Sequence, residues 1–124
     1  MKHTTFQHEV RDGEFNRGDV RIPDDWSGET AIVVVHGFKG FKDWGFFPHV
    51  CQRLAGAGHT VVSFNVSHNG VGPDLLTFSE LERFGRNTFS MELDEIRFVI
   101  DALVRRTETI AELVNQHRSR FRAI

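Results

Sequence analysis

The chain has 124 residues, the length of one ordinary domain, and a chain of that length buries about two-thirds of its unfolded surface on folding. Hydrophobic residues at 40% and charged residues at 26% place it among globular rather than disordered sequences. Fifteen Lys and Arg against seventeen Asp and Glu leave a formal charge of −2, which excludes the basic footprint of a nucleic-acid binder, and the single cysteine, Cys51, excludes an internal disulfide and a multi-cysteine metal site.

No apolar run approaches the roughly 18–20 residues that span a bilayer. Behind Met1 and Lys2 there is no apolar stretch of the kind a secretory signal needs. The expectation is a cytoplasmic chain with no membrane or nucleic-acid partner.

Residues 5–11 and 16–22 read as two short antiparallel strands. Phe6, His8 and Val10 alternate with Gln7, Glu9 and Arg11, Asp12-Gly13 supplies the turn, and Val20 and Ile22 form an apolar face before Pro23 ends the second strand. Residues 23–28 read as a loop.

Ala31-Ile32-Val33-Val34-Val35-His36 is a continuous β-branched run, apolar on both faces, as in a parallel strand covered by helices. Gly37 to Asp43 forms a Gly-rich turn. An amphipathic helix is predicted from Trp44 to about Ala57, with Phe47, Val50, Cys51, Leu54 and Ala55 recurring at three and four, Pro48 near its start, and Gly56 and Gly58 as its stop. Asp43 and Lys42 open this helix, where Asp43 would complement its dipole. His59 to Asn65 is the next buried strand, and together these elements make a βαβ unit.

Residues 66–87 read as irregular, with one turn of helix near Ser79–Phe84; a loop of that size inside a compact domain tends to be functional. A long helix starts near Asn87–Ser90, with Leu93, Ile96, Val99, Ile100, Leu103 and Val104 as its apolar stripe. The pattern returns at Ile110, Leu113, Val114 and His117. Arg105, Arg106, Arg118, Arg120 and Arg122, mixed with Glu108 and Glu112, read as a solvated face, and Phe121–Ile124 as the first residues of a further strand.

In open α/β sheets ligands bind beyond the carboxyl ends of the strands, which selects 36–43 and 66–74 as the candidate loops. The Gly37-Phe38-Lys39-Gly40 turn lacks the spacing of a phosphate loop or a dinucleotide fingerprint, and His49, His59 and His68 lack a metal spacing. No metal or cofactor is expected. Cys51, on the apolar stripe of the first helix, reads as a core residue, and His36 as a brace for the neighbouring turn.

The segment Val33-Val34-Val35-His36-Gly37-Phe38-Lys39-Gly40-Phe41-Lys42-Asp43-Trp44 resembles the oxyanion-hole segment of α/β-hydrolase-fold enzymes, in which an H-G-x turn follows a buried strand and precedes a helix. Phe64-Asn65-Val66-Ser67-His68-Asn69-Gly70 is similar to the loop after the fourth strand in dienelactone-hydrolase-like and serine-peptidase-like branches. The resemblance covers roughly residues 5–105. It implies an α/β fold in which two antiparallel strands precede the βαβ unit and a long helix. The fourth strand would lie between the second and third, leaving Ala31–His36 as an edge.

It further implies serine-type hydrolysis of a small carboxylic-ester or related acyl substrate. Gly37 and Phe38 would belong to the oxyanion hole, the Phe38 N–H being one donor, with Lys39, Ser67, His68 and Asn69 in a possible substrate loop. The nucleophile elbow G-x-S-x-G occurs nowhere in the chain. Ser67 and His68 are adjacent and their side chains should point apart, so they do not make a nucleophile and base.

No catalytic triad residue is therefore assigned within residues 1–124. The chain reads as a single, incomplete amino-terminal portion of a hydrolase domain, inactive alone, with its triad expected downstream. A complementing carboxyl-terminal polypeptide, or a second copy, would pair through the Ala31–His36 edge. The alternatives are a non-catalytic, self-associating remnant of the fold, and a small-molecule binding domain without chemistry. Phe38, Phe41, Phe46 and Phe47 would form an apolar wall near the site.

Overall fold

The computed structural model describes residues 1–24 and 30–105. The loop read at 23–28 falls mostly outside them. So do Arg106, Ile110, Leu113, Val114, His117, Arg118, Arg120, Arg122 and the strand read at Phe121–Ile124.

Among the described residues, the elements in chain order are β1 (Lys2–Arg11), β2 (Glu14–Ile22), β3 (Ala31–Val35), α1 (Phe47–Gly56), β4 (Thr60–Asn65), α2 (Leu81–Gly85) and α3 (Phe89–Arg105). The four strands form one mixed sheet in the order β1-β2-β4-β3. β1 and β2 are a hairpin turning at residues 12–13, with Gly13 at φ +72°. β2 runs antiparallel to β4, and β3 runs parallel to it with Val33 opposite Val62. Among the described residues β3 is thus an edge of this sheet, although all five of its residues are half-buried.

β1 begins three residues earlier than alternation alone predicts, because Lys2 pairs with Ile22 and His3 with Arg21 to the end of β2. Strand pairing here extends past the apolar pattern.

The period of two assigns the layers. Phe6, Val20, Ile22, Val62 and Phe64 point to one side, where Val99 and Leu103 of α3 complete the main core with Val66. Val61 points to the other side, against Cys51 and Ala55 of α1, with Val34 and Leu54 at the margin. Helices therefore cover both faces, and the chain is α/β in class.

The helix ends follow local chemistry. Pro48 lies in the first turn of α1, where a missing N–H costs little. At the other end the Gly58 N–H donates to Ala55 O at 3.0 Å and the His59 N–H to Leu54 O at 3.3 Å, with Gly58 at φ +101°. That pair of bonds is the Schellman stop, and it requires a residue free to adopt left-handed φ. At the start of α3 the Met91 N–H donates to Thr88 Oγ1 at 3.1 Å, an N-cap.

Two expectations about α1 are corrected. The helix starts at Phe47 rather than Trp44, and its first turn holds no acidic residue. Asp43 lies outside it and accepts from Lys42 Nζ at 2.6 Å instead. A buried ammonium holds Asp43 more strongly than a helix end three residues away. The stripe read along α3 is also wider than its burial, since Val99 and Leu103 are buried while Leu93 and Ile100 are exposed.

The Phe6 ring lies over Gly18. A Cβ built at Gly18 would meet Ser63 O at 2.4 Å and the Phe6 ring at 2.5 Å, whereas one at Gly56 would meet nothing within 4 Å. Gly18→Ala is therefore expected to destabilise by about 1–3 kcal/mol, while Gly56→Ala stabilises by about 0.5–1 kcal/mol. Urea denaturation of the two variants checks this; equal midpoints would disprove the packing assigned to Gly18.

Candidate functional site

The turn after β3 is held from several sides. The Gly40 N–H donates to Gly37 O at 2.9 Å, closing a four-residue turn with Lys39 at φ +59°. A left-handed lysine is conformationally costly and needs surrounding contacts to fix it. His36 supplies one. Its Nδ1 donates to Gly37 O at 2.9 Å, and its Nε2 accepts the Val66 N–H at 3.2 Å.

The Val66 amide can only donate, so Nε2 must carry the lone pair and the proton sits on Nδ1. Burial pushes this imidazole below its ordinary pKa, outweighing the carbonyl of Gly37 and the carboxylates of Glu92 and Glu95. His36 is the brace expected of it.

The far end of the turn is anchored at Lys42. Its backbone N–H donates to Asn65 Oδ1 at 2.7 Å, and its buried Nζ donates to Asp19 at 2.7 Å and to Asp43 at 2.6 Å. His3 Nε2 reaches the other oxygen of Asp19 at 2.9 Å. Between the two ends, Asn69 Nδ2 donates to Gly40 O at 3.4 Å. One of the expected site residues thus supports the turn rather than facing a ligand.

Ser67 and His68 are likewise occupied. Glu95 of α3 is fully buried, and its carboxylate accepts four hydrogen bonds. Asn16 Nδ2 and the Ser67 N–H reach Oε1, both at 2.6 Å. Ser67 Oγ and Arg11 Nη1 reach Oε2 at 2.8 and 3.0 Å. His68 Nε2 pairs with the Glu14 carboxylate, and this bond is the main cause holding Glu14 below its ordinary pKa. Ser67 and His68 make no bond to each other, and residues 67–68 lie in a turn rather than an extended segment.

Beyond the carboxyl end of β3 lies an open cleft of about 430 Å³. His36, Gly37 and Phe38 form one side, Phe84 of α2 the floor of the other, and Asn87, Thr88, Phe89 and Glu92 the approach to α3. Of the predicted site residues, Gly37 and Phe38 line it. Lys39 does not, although its Nζ sits 5.9 Å from the Phe38 ring centroid. Ser67, His68 and Asn69 are turned into the network described above.

The Phe38 ring packs on Phe84 at 5.5 Å, and Phe84 meets Phe78 edge-on at 6.1 Å. Phe41 is buried against Phe78, and Phe46 stacks on Phe47 at 5.0 Å, so of the four phenylalanines in the expected wall only Phe38 lines the cleft. The Phe38 N–H makes no backbone hydrogen bond among the described residues.

Phe84 and Asn87 escaped the sequence reading because they lie in the segment read as irregular, and Phe89 and Glu92 because they follow it directly. Their one local signal was the T-x-x-M-E helix start at Thr88. Cys51 is fully buried and burial pushes its thiol up, as suits a core residue. Among the described residues no group of three His, Cys, Asp or Glu is placed to hold a metal, and no helix is long and apolar enough to cross a membrane. No protein-family model and no curated protein matches this chain.

The buried Lys42–Asp19 pair gives a pH signature. Burial alone would raise Asp19, but the bonds from Lys42 and His3 outweigh it and hold the carboxyl below its ordinary value. For Lys42 burial would lower the ammonium, and Asp19 and Asp43 together raise it instead. A depressed carboxyl contributes stability above its unfolded pKa of about 3.9 and loses it as pH falls; a raised lysine contributes below about 10.4 and loses it as pH climbs. Lys42→Met should cost about 3–5 kcal/mol at neutral pH by leaving Asp19 buried without its ammonium. It should also shrink the loss of stability on acidification below about pH 4. Chemical denaturation across pH measures both, and an acid limb that overlays the unaltered protein's would rule the pair out as its source.

Proposed function

We propose that this chain supplies the oxyanion-hole portion of a serine hydrolase of the α/β-hydrolase fold, acting on carboxylic esters or related acyl bonds. One observation carries the reading. The Phe38 N–H, unengaged among the described residues, lies in a turn that lines the cleft beyond β3, and that turn is fixed by His36, Asn69 and Lys42 before any ligand arrives. Acyl transfer needs such a donor. When a serine oxygen attacks the carbonyl carbon, the C=O π electrons move onto oxygen, and a preorganised N–H stabilises that charge without reorganising.

The serine and its base lie outside these 124 residues, since the sequence contains no G-x-S-x-G and Ser67 already donates to Glu95. The order β1-β2-β4-β3 and a β-branched strand half-buried at the edge also support the reading, because the next strand of such a sheet pairs there.

Phe38 occupies the second position of its turn, where proline is well accepted; Phe38→Pro removes the N–H together with the ring that packs on Phe84, and Phe38→Ala, which keeps the N–H, separates the two. Mixed with the polypeptide encoded directly downstream, the chain is expected to hydrolyse p-nitrophenyl acetate, while neither part does so alone. Phe38→Pro should then lower kcat by about 10²–10³-fold relative to Phe38→Ala. Association without turnover, or full turnover by Phe38→Pro, would count against the proposal.

The edge position of β3 favours a second reading, a non-catalytic module that self-associates through Ala31–Val35. It predicts a concentration-dependent dimer in sedimentation, weakened by Val33→Lys; a monomer at every concentration would dispose of it.

A further inference from the structure

We infer that His36 is an acid-operated latch at the rim of the cleft. As a neutral ring it ties the turn 37–40 to the loop that starts at Val66, and on taking a proton at Nε2 it gives up that tie. Nδ1 already donates to Gly37 O at 2.9 Å, so the one position left for a proton is Nε2. That nitrogen accepts the Val66 N–H at 3.2 Å. An imidazolium has two donors and no acceptor. Protonation therefore sets two N–H groups against each other, and the bond to Val66 breaks.

The proton has a way in, because His36 lines the open cleft and is 8% exposed. What the latch holds is also demanding. Lys39 sits at φ +59° within the turn, and a Cβ added at Gly40 would meet Gly37 O at 2.9 Å and the His36 Cβ at 3.3 Å. Backbone of this kind persists only while its surroundings over-determine it. Among the described residues the other hydrogen bond between turn and loop runs from Asn69 Nδ2 to Gly40 O, and it is long at 3.4 Å.

The groups around the ring set how far the pH must fall. Burial disfavours the imidazolium most strongly, against the opposing pull of Gly37 O and of Glu92 and Glu95 on α3. On the turn side, Lys42 is paired with Asp19 and Asp43, and Lys39 lies against the Phe38 ring. On the loop, His68 is paired with Glu14. The net result holds His36 below the ordinary histidine value. A base held so makes its full contribution above about pH 6.5 and loses it as pH falls toward its own midpoint. The latch is closed at neutral pH and opens in acid.

The carbonyl that His36 grips belongs to Gly37, one peptide before the Gly37–Phe38 turn presents the Phe38 N–H to the cleft. As a control on an oxyanion donor the inference rests on the hydrolytic reading; as a latch between two loops it stands without it.

The test uses the chain alone. Ring ¹⁵N NMR should find His36 protonated on Nδ1 only at neutral pH, with its second proton arriving below the ordinary histidine value. Through that step the Val66 amide should lose roughly tenfold in protection from solvent exchange, corrected for the intrinsic effect of pH, as the worth of one hydrogen bond. The Phe38 and Gly40 amides should shift with the same midpoint, while the amides between β2 and β4 keep their protection. His36→Gln still accepts the Val66 N–H through its side-chain oxygen but takes no proton, so the step should vanish. A step that survives His36→Gln belongs to His68 and would overturn the assignment. So would unchanged protection at Val66 while His36 titrates, or protection lost between β2 and β4 at the same pH. Should the variant fail to fold, the titration of the unaltered chain decides alone. A chain that shows the latch yet never hydrolyses an ester with any complementing polypeptide would sink the hydrolytic reading and leave this one standing.

Discussion

The constraint on which the rest of the structure depends is the carboxylate of Glu95, placed at zero exposure and given four donors by three residues from two distant parts of the chain. A buried carboxylate is tolerable only when its lone pairs are filled, and removing one partner of such a pair costs about 3–5 kcal/mol, a large share of the roughly 5–15 kcal/mol that holds a domain together. Arg11 and Asn16 come from the β1–β2 hairpin, and Ser67 from the loop after β4. The apolar contacts of Val99 and Leu103 hold α3 on the sheet but are not directional. Glu95 sets where along the sheet the helix rests.

From there the order passes to the cleft. Asn16 spans Glu95 and the carbonyl of Asn65, and the side chain of Asn65 accepts the Lys42 N–H. Ser67 fixes the loop, whose next residues carry Asn69 to Gly40 O, while Val66 at its start meets His36. The turn 37–40 is thus tied to both faces of the sheet, one through Glu95 and α3, the other through Lys42 and Asp19. Polar groups buried with their bonds made are stiff, and stiffness in a donor turn is what electrostatic catalysis requires.

The cleft combines this stiff turn with a softer wall. Phe38 and Phe89 stand in solvent, and the rings behind them form a chain from Phe38 through Phe84 and Phe78 to buried Phe41. Exposed phenyl rings at the rim of a cavity exact a hydration cost that a ligand or a partner surface removes. The hydrolytic proposal draws on the turn, and the rings form the wall beside it. Turn and wall meet in one cavity because residues just after β3 and at the start of α3 line it together.

Much of the fold was legible locally. The run Ala31–Val35 announces a covered strand, the three-and-four spacing of Cys51, Leu54 and Ala55 a helix, and Gly58 its stop, since each depends on neighbours a few residues away. The exposed backs of Leu93 and Ile100, the pairing of Lys2 and the release of Asp43 from the helix were not legible, because each depends on a surface supplied from elsewhere. Of the site, sequence marked Gly37 and Phe38 and missed Asn87 and Glu92. By itself the sequence determined the elements, the turn and the want of a nucleophile elbow. Only the tertiary structure decided which polar groups meet. Arg11 and Glu95 lie 84 residues apart, and a hydrogen bond forms only when its atoms come within about 3.5 Å, a closeness that periodicity along a chain does not encode.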